Sequence, residues 1–336
     1  MKFILLVKFP EEDLDPLIAK KVIPACPESG EVLFFLLMVS QTLETVFKNF
    51  LKKESLVGEK LLLCVSGGID SMVLLEIATK VCSLKNLAVF HLDHGLRKDS
   101  QNDFLFVQKI CSRKNVQFFG EILKKFPAKN KESYWREKRR ELSLAAAKYF
   151  EAKRILTAHH ATDLVETMIF RLTKGTGVAG LAPFQTETKP FWNIARREIE
   201  AYAHKHKIKY IQDSSNEDEQ FERNIIRRKV LPELRRITPN LEKVFIAESE
   251  IFRETAHFLE AELQTHFEAQ SIPLASFLQL HPILQQEFLR RIARKTPSSS
   301  EINDCLKWLH NTPQGNSHKS IGNTKLILQQ KKIHWD

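Results

Sequence analysis

The sequence predicts an α/β protein: a parallel β-sheet covered by helices on both faces, followed by a helical domain and a short C-terminal α+β tail. Three observations predict it. Between residues 61 and 172, short and almost wholly apolar runs alternate with helix-length segments, as strands buried on both faces do. Beyond about Asn216 the apolar residues recur at helical spacing instead. The end of the chain, IGNTKLILQQKKIHW, reads as a short hairpin.

Residues 1–37 carry four of the 13 prolines and no sustained helical period. They are expected to be an extension outside the fold, dispensable for activity, so that a chain beginning at Met38 should work. From Ser40 the pattern changes. Leu43, Val46, Phe47, Phe50 and Leu51 recur at helical spacing behind a candidate cap at Ser40. LLLCV (61–65) is the first strand and MVLLEIATKV (72–81) its helix. LAVFHLDHG (87–95) and FLFVQKICSRK (104–114) form the second pair. VQFFGEIL (116–123) is a third strand, followed by a long helix from about Lys131 to Ala152. RILTAHH (154–160) is a fourth strand, running into ATDLVETMIFRL (161–172). This succession is that of a Rossmann-like sheet. IKYIQD (208–213) is a candidate fifth strand. Further on, Val244, Ile251 and Phe258 lie seven apart, as do Phe245, Phe252 and Leu259. An amphipathic helix from about Leu241 to Gln270, packing this stripe into a core, follows. The expected divisions are 1–37, 38–215, 216–270 and 271–336.

A chain of 336 residues with 43% hydrophobic composition can fill more than one core. The five cysteines, Cys26, Cys64, Cys82, Cys111 and Cys305, are widely spaced. That excludes a zinc ribbon and a CxxC redox pair, and it suits a reducing cytosol. The longest apolar run, VLFFLLMV (32–39), is far shorter than the roughly 18–20 residues of a membrane span. A net charge of +10 is compatible with a polyanionic partner.

The strongest chemical signal is Ser66, Gly67, Gly68, Ile69, Asp70 and Ser71, between a strand and a helix. An ordinary glycine turn is one reading. Two serines and an aspartate in this setting favour another, a phosphate-binding loop whose backbone N–H groups meet an anion at a helix N-terminus. Both hydroxyls could donate to phosphate, and Asp70 could hold Mg²⁺ or orient the loop. The GK[ST] ending of a Walker loop is absent. His91 and His94 have metal-ligand spacing without an obvious third ligand, whereas His94 and Arg97 could contact nucleotide or RNA phosphate. His159, Asp163 and Glu166 gather where the fourth strand gives way to a helix, the edge at which α/β sheets bind ligands. The two acids could hold a cation or simply favour a helix N-terminus. Arg136, Arg139 and Arg140 share one helix. Arg223, Arg227 and Arg228 lie on adjacent turns, either as a solvated face or as phosphate contacts.

These stretches carry a resemblance. SGGIDS is similar to the phosphate-loop signature of the PP-loop family, the N-type ATP pyrophosphatases. HLDHGLRKDS (91–100), KESYWREKRREL (131–142), AHHATDLVETMIFRLTKGTGVAGL (158–181) and DSSNEDEQFERNIIRRKVLPEL (213–234) resemble motifs of its lysidine synthase branch, in family order. Thr162 and Leu164 depart from the usual Asp and Gln, and Arg140 from the usual aromatic. The resemblance covers roughly residues 61–240. It implies ATP and Mg²⁺ as cofactors, free lysine as second substrate and an isoleucine tRNA, read at its anticodon loop, as partner. It implies ligation of lysine to carbon 2 of the wobble cytidine through an adenylated base, in the cytoplasm. Asp70, His159, Asp163, Glu166 and Arg223 would then be catalytic. His94, Arg97, Arg136, Arg139, Arg227 and Arg228 would meet RNA. A tRNA thiolase of the same superfamily and a non-catalytic RNA-binding protein are the alternatives. No membrane partner is implied. Oligomeric state is left open, with a homodimer among the options.

Overall fold

The structure, a computed structural model, describes residues 42–93, 100–123, 131–184, 186–211, 222–266, 270–311 and 316–336, and only the backbone of 100, 101 and 131–133. Residues 1–37, the apolar run 32–39, His94, Arg97, Asp213 and Asn216 lie outside this set, as does the side chain of Glu132.

Helix α1 (Leu43–Lys53) buries Leu43, Phe47, Phe50 and Leu51, the face its spacing predicts. Strands β1 (Leu61–Cys64), β2 (Leu87–Asp93), β3 (Gln117–Ile122) and β4 (Arg154–Thr157) form a parallel sheet in the order β3-β2-β1-β4. The intervening helices are α2 (Ile69–Val81), α3 (Ser100–Arg113) and α4 (Lys131–Phe150). Alternation across the sheet sorts the strand residues to two cores. Leu61, Leu63, Leu87 and Val89 pack with α1, α2 and α3. Leu62, Ala88, Phe90 and Leu92 pack with Ala146, Ala147 and Phe150 of α4. Helices therefore cover both faces, which is why the central strands β1 and β2 are almost wholly apolar, while the edge strand β3 leaves Gln117 and Glu121 exposed.

After β4 come α5 (Ala161–Lys174), α6 (Arg196–Lys205) and α7 (Glu222–Ile225). A π-helical turn (Ile226–Val230), α8 (Leu231–Ile237) and the long α9 (Leu241–Gln264) follow. The chain ends in β5 (Ser271–Pro273), α10 (Leu274–Gln279), α11 (Pro282–Ile292), α12 (Ser299–Asn311), β6 (Ser317–Ile321), β7 (Thr324–Gln329) and β8 (Lys332–Trp335). The expected hairpin is thus part of a four-stranded antiparallel sheet, order β5-β8-β7-β6, with its own core around Phe277, Phe288 and Leu326.

Three expectations change. Residues 208–211 form no strand. Ile211 N–H instead donates to the Gly67 carbonyl at 2.9 Å, so this segment covers the phosphate loop. The fourth strand stops at Thr157, and residues 158–160 leave the sheet. Helix α9 ends at Gln264, and of its two apolar stripes only Phe245, Phe252 and Leu259 face inward. Val244, Ile251 and Phe258 are 46%, 58% and 66% exposed, because α5 packs on the neighbouring face.

Thr162, one of the departures from the family pattern, has a structural partner. Its hydroxyl donates to Glu242 Oε1 of α9 at 3.1 Å and accepts from Arg196 N–H at 3.3 Å. Arg235 Nη2 lies 2.5 Å from the same carboxylate oxygen. Burial alone would raise the Glu242 pKa, but the Arg235 and Thr162 contacts outweigh it and hold it below the ordinary 4.5. A depressed folded-state pKa contributes stability above the unfolded value and loses it as pH falls through the folded one. Glu242→Gln should therefore cost about 1–2 kcal/mol near neutral pH. The gap should close as pH drops below about 4.5. Urea unfolding of both proteins across that range checks this; a gap that stays constant into strong acid would show that the carboxylate charge contributes nothing.

Candidate active site

Sheet order places the site. The chain leaves β1 toward β2 on one side and later returns to β4 on the other, so β1 and β4 flank the point where the winding reverses. At such a point the loops beyond the carboxyl ends of the strands diverge and leave a crevice. Residues 65–71 leave β1 there, and residues 158–163 leave β4.

Helix α2 begins at Ile69, earlier than the sequence predicts, so Ile69, Asp70 and Ser71 make its first turn. Gly68 caps the helix in extended conformation without any side-chain hydrogen bond. The first-turn N–H groups have no intrahelical carbonyl to bond, which makes this end a ready anion site. Gly67 has φ +92°, and a Cβ there would stand 2.5 Å from Ile211 Cδ1, so the position needs glycine on two counts. The Ser71 hydroxyl serves the loop itself. It accepts from the N–H groups of Ser66 and Gly67 at 3.1 and 3.2 Å and donates to the Gly68 carbonyl at 2.9 Å. Ser71 thus shapes the cradle rather than donating to a phosphate, while the Ser66 hydroxyl sits on the exposed side, 3.4 Å from Gly68 N. Behind the loop His91 is buried, and its Nδ1 lies 2.7 Å from the Val65 carbonyl.

The residue that joins the two halves is one the sequence does not single out. His160, 1% exposed, is the N-cap of α5. Its Nδ1 accepts from Asp163 N–H at 3.3 Å, and Asp163 Oδ2 accepts from His160 N–H at 3.1 Å, a reciprocal capping box. A lone pair on Nδ1 leaves the proton on Nε2, which faces Asp70 Oδ1 at 3.6 Å. Burial pulls the His160 pKa down, but the Asp70 and Asp163 carboxylates outweigh it and raise it. Burial would likewise raise the pKa of Asp70. His160, Arg196 and Arg227 more than offset this and hold it below the usual carboxylate value. Asp70 Oδ1 is buried and has no hydrogen-bond partner. The signal for His160 is its spacing to Asp163, the H-x-x-D of a capping box. For Arg196 the sequence carries none, since the tertiary fold alone brings α6 to α2.

Glu166 points inward from α5 and is 4% exposed. Arg227 grips it with both arms of the guanidinium, Nε to Oε1 at 2.6 Å and Nη2 to Oε2 at 2.8 Å, and lies 3.5 Å from Asp163 Oδ1. Arg227 is thus part of the site's carboxylate network, with 30% of its side chain still exposed. Arg227 lies within the π-helical turn at 226–230, a local widening that is frequent at functional sites. Arg228 and Arg136 remain at the surface, while Arg223 lays its guanidinium over the Phe170 ring at 5.6 Å. Arg139, also at the surface, is close enough to act electrostatically on His159 and Cys64. His159 stands at the mouth of the crevice. Its Nδ1 lies 2.9 Å from Thr157 Oγ1, and its ring meets the Phe184 edge at 5.8 Å. Crowding by the surrounding protein, and then the charge of Lys189, hold its pKa below the usual imidazole range.

Comparisons with known proteins identify the family. A family profile described as a PP-loop domain matches residues 39–234. The tRNA(Ile)-lysidine synthase of Thermotoga maritima is 36% identical over 222 residues, which cover 63% of this chain and 54% of that protein. The tRNA(Ile)-lysidine synthase of Petrotoga mobilis is 34% identical, over 62% of this chain and 71% of that one. The chain thus matches only about half the length of the Thermotoga relative. Among solved structures, the U34-tRNA thiolase NcsA from Methanococcus maripaludis superposes with a TM-score of 0.54, at 15% identity, covering 63% of this chain and 78% of that chain. At that identity the likeness speaks for the fold alone. With the profile spanning more than half the sequence, the chain belongs to the PP-loop family and, within it, to the tRNA(Ile)-lysidine synthase family.

Proposed function

We propose that the protein joins free lysine to carbon 2 of the wobble cytidine of an isoleucine tRNA, using ATP, in the cytoplasm. The observation that carries this reading is the meeting of two chemistries at one crevice. An uncapped helix end suited to phosphate stands beside a carboxylate network suited to an amine. The cytidine carbonyl oxygen attacks the α-phosphorus of ATP and pyrophosphate leaves. The ε-amine of lysine then attacks carbon 2, the bond to AMP breaks, and the amine gives up its proton.

The chain's own residues have definite parts. Backbone N–H groups of Ile69, Asp70 and Ser71 receive phosphate oxygens, with Ser66, Gly67 and Gly68 shaping the approach. Mg²⁺ commonly takes one or two carboxylates, with phosphates and water completing its shell. Asp70, with a buried oxygen lacking a hydrogen-bond partner, fits that demand. Among the described residues no group of three or more His, Cys, Asp or Glu gathers for a metal, so a shell shared with phosphate fits better than an all-protein cage. Bound there, Mg²⁺ would neutralise charge on the phosphates. Asp163 presents Oδ1 to the incoming amine, since both Glu166 oxygens are engaged by Arg227. His159, neutral near pH 7, can take the proton that the attacking amine releases. Arg223, with the surface arginines Arg136, Arg139 and Arg228, suits RNA phosphate.

Incorporation of labelled lysine into total tRNA, with and without ATP, tests the proposal. ATP-dependent incorporation with pyrophosphate release is expected. Tight tRNA binding without incorporation would instead identify a non-catalytic RNA-binding protein.

A further inference from the structure

A second cleft opens away from the crevice, with a volume of about 630 Å³. It lies between the C-terminal end of α5, the glycine loop 175–180, α9 and α11. Its floor is apolar: Phe170, Leu259 and Leu263 line it. Its walls carry five cations, Arg171, Lys174, Arg290, Arg291 and Arg294, against two carboxylates, Glu260 and Glu287. That surplus of positive charge over an apolar floor is not what a packing defect leaves behind. Part of it is held in place by pairing. Arg291 Nη1 lies 2.9 Å from Glu260 Oε1, and Lys174 Nζ is paired with Glu222. Arg290 is different. It lies 3.5 Å from Glu287 Oε1, and its Nε is buried without a hydrogen-bond partner. Arg294 is exposed at the rim.

The glycine loop is built against this wall. A Cβ at Gly177 would stand 2.8 Å from both Arg290 Cδ and Glu287 Oε1, so the loop backbone lies directly on α11. Arg171 connects the cleft to the active site. It donates from Nη1 to the Gly180 carbonyl at 2.7 Å, and so fixes the loop. Burial first, then the like charges of Arg223 and Arg136, lower its pKa, so the three guanidiniums lie near one another. Arg223 is one helical turn from Arg227, and it covers the same Phe170 that floors the cleft. A basic track therefore leads from the Glu166–Arg227 pair through Arg223 and Arg171 to Arg290 and Arg294.

We propose that this cleft binds a second, unstacked nucleotide of the same RNA whose target base enters the active-site crevice. The base lies on the Phe170, Leu259 and Leu263 floor, and its phosphate meets Arg290 and Arg294. The assignment rests on tRNA being the substrate, and it adds the place where a segment remote from the modified base is gripped. Apolar floors receive bases of any identity, because every base has a flat π-face, while cations follow the backbone.

Two variants separate the components. Ala256→Trp puts a bulky ring into the cleft. Arg294→Glu reverses one exposed rim charge and leaves packing intact. Binding of unfractionated tRNA is measured by filter retention over a range of KCl concentrations, with melting temperatures as a check on folding. Ala256→Trp should weaken binding about tenfold with an unchanged salt slope, as loss of one stacked base does. Arg294→Glu should weaken binding and reduce the log–log slope by roughly 0.7–0.9 or more. Wild-type affinity and slope in Arg294→Glu would overturn the assignment even if Ala256→Trp fails to fold, and so would a wild-type protein that does not bind tRNA. Neither readout depends on lysine. A protein that fails to add lysine yet shows both changes would refute the proposed reaction and leave this cleft standing.

Discussion

Asp70→Asn should lower the rate of tRNA-dependent pyrophosphate release by about 10²–10³ or more while leaving tRNA affinity within about twofold of wild type. The size follows from the charge that this one side chain sets against the phosphates, since removing a single well-placed electrostatic group from a water-poor site costs roughly 3–4 kcal/mol of transition-state stabilisation. The substitution keeps shape and removes charge. Asn would present either a carbonyl oxygen too weak to bind a divalent cation well or an amide donor facing the Nε2 proton of His160, whose nitrogen now lies 3.6 Å from Asp70 Oδ1. Stability should fall modestly, because the charge that faces His160, Arg196 and Arg227 is lost, and a melting temperature recorded for the variant separates that loss from the loss of rate. Single-turnover pyrophosphate release at saturating ATP, set beside filter binding of tRNA, separates the two effects. Release at the wild-type rate would remove Asp70 from the reaction. A matching fall in tRNA affinity would mean that the side chain supports RNA docking instead.

The arrangement around Asp70 shows how far sequence carries the reading. The strand residues 61–64 and 87–93 are visible in advance because a doubly covered strand is apolar almost throughout, and 117–122 and 154–157 by their short apolar cores between helices. The loop 66–71 is visible because two glycines between a strand and a helix have few other uses. What local pattern cannot show is direction. The paired histidines look alike in sequence, yet His159 faces the crevice mouth and His160 turns inward to cap α5. The strand ends at Thr157, and from that point the alternation that would have assigned their faces no longer applies. The same holds for α9. Two apolar stripes one residue apart satisfy helical spacing equally well, and only the position of α5 decides that Phe245, Phe252 and Leu259 are covered. IKYIQD has the composition of a strand. Its described part is spent on the loop, through the Ile211 N–H bond to the Gly67 carbonyl. Thr162, which looks like a lost ligand when set against the family pattern, is a buried link between α5 and α9.

Arg227 reads as a phosphate contact in the sequence and is paired with Glu166 in the structure, and its replacement should show which role dominates. As a phosphate contact it would behave in a definite way. Arg227→Ala would weaken tRNA binding, cut the salt slope by roughly 0.7–0.9 and leave stability alone. The pairing with Glu166 predicts a different result. The guanidinium makes two charge-assisted hydrogen bonds to Glu166, at 2.6 and 2.8 Å, and the Glu166 side chain is 5% exposed. Removing the arginine leaves that carboxylate buried and unpaired. Breaking a buried pair from one side costs about 3–5 kcal/mol, and the partial exposure of Arg227 puts this case nearer 2–4. Arg227→Ala should therefore lose that much stability in urea unfolding and nearly all lysine addition, with the tRNA salt slope unchanged. Glu166→Gln in the same background supplies the control, because it removes the stranded charge. The double variant should regain at least half of the lost stability and still add no lysine, since Asp163 would remain without its neighbouring cation at 3.5 Å. A shallower salt slope in Arg227→Ala, with stability intact, would return this arginine to the RNA-binding surface and leave the Glu166 pairing without a function.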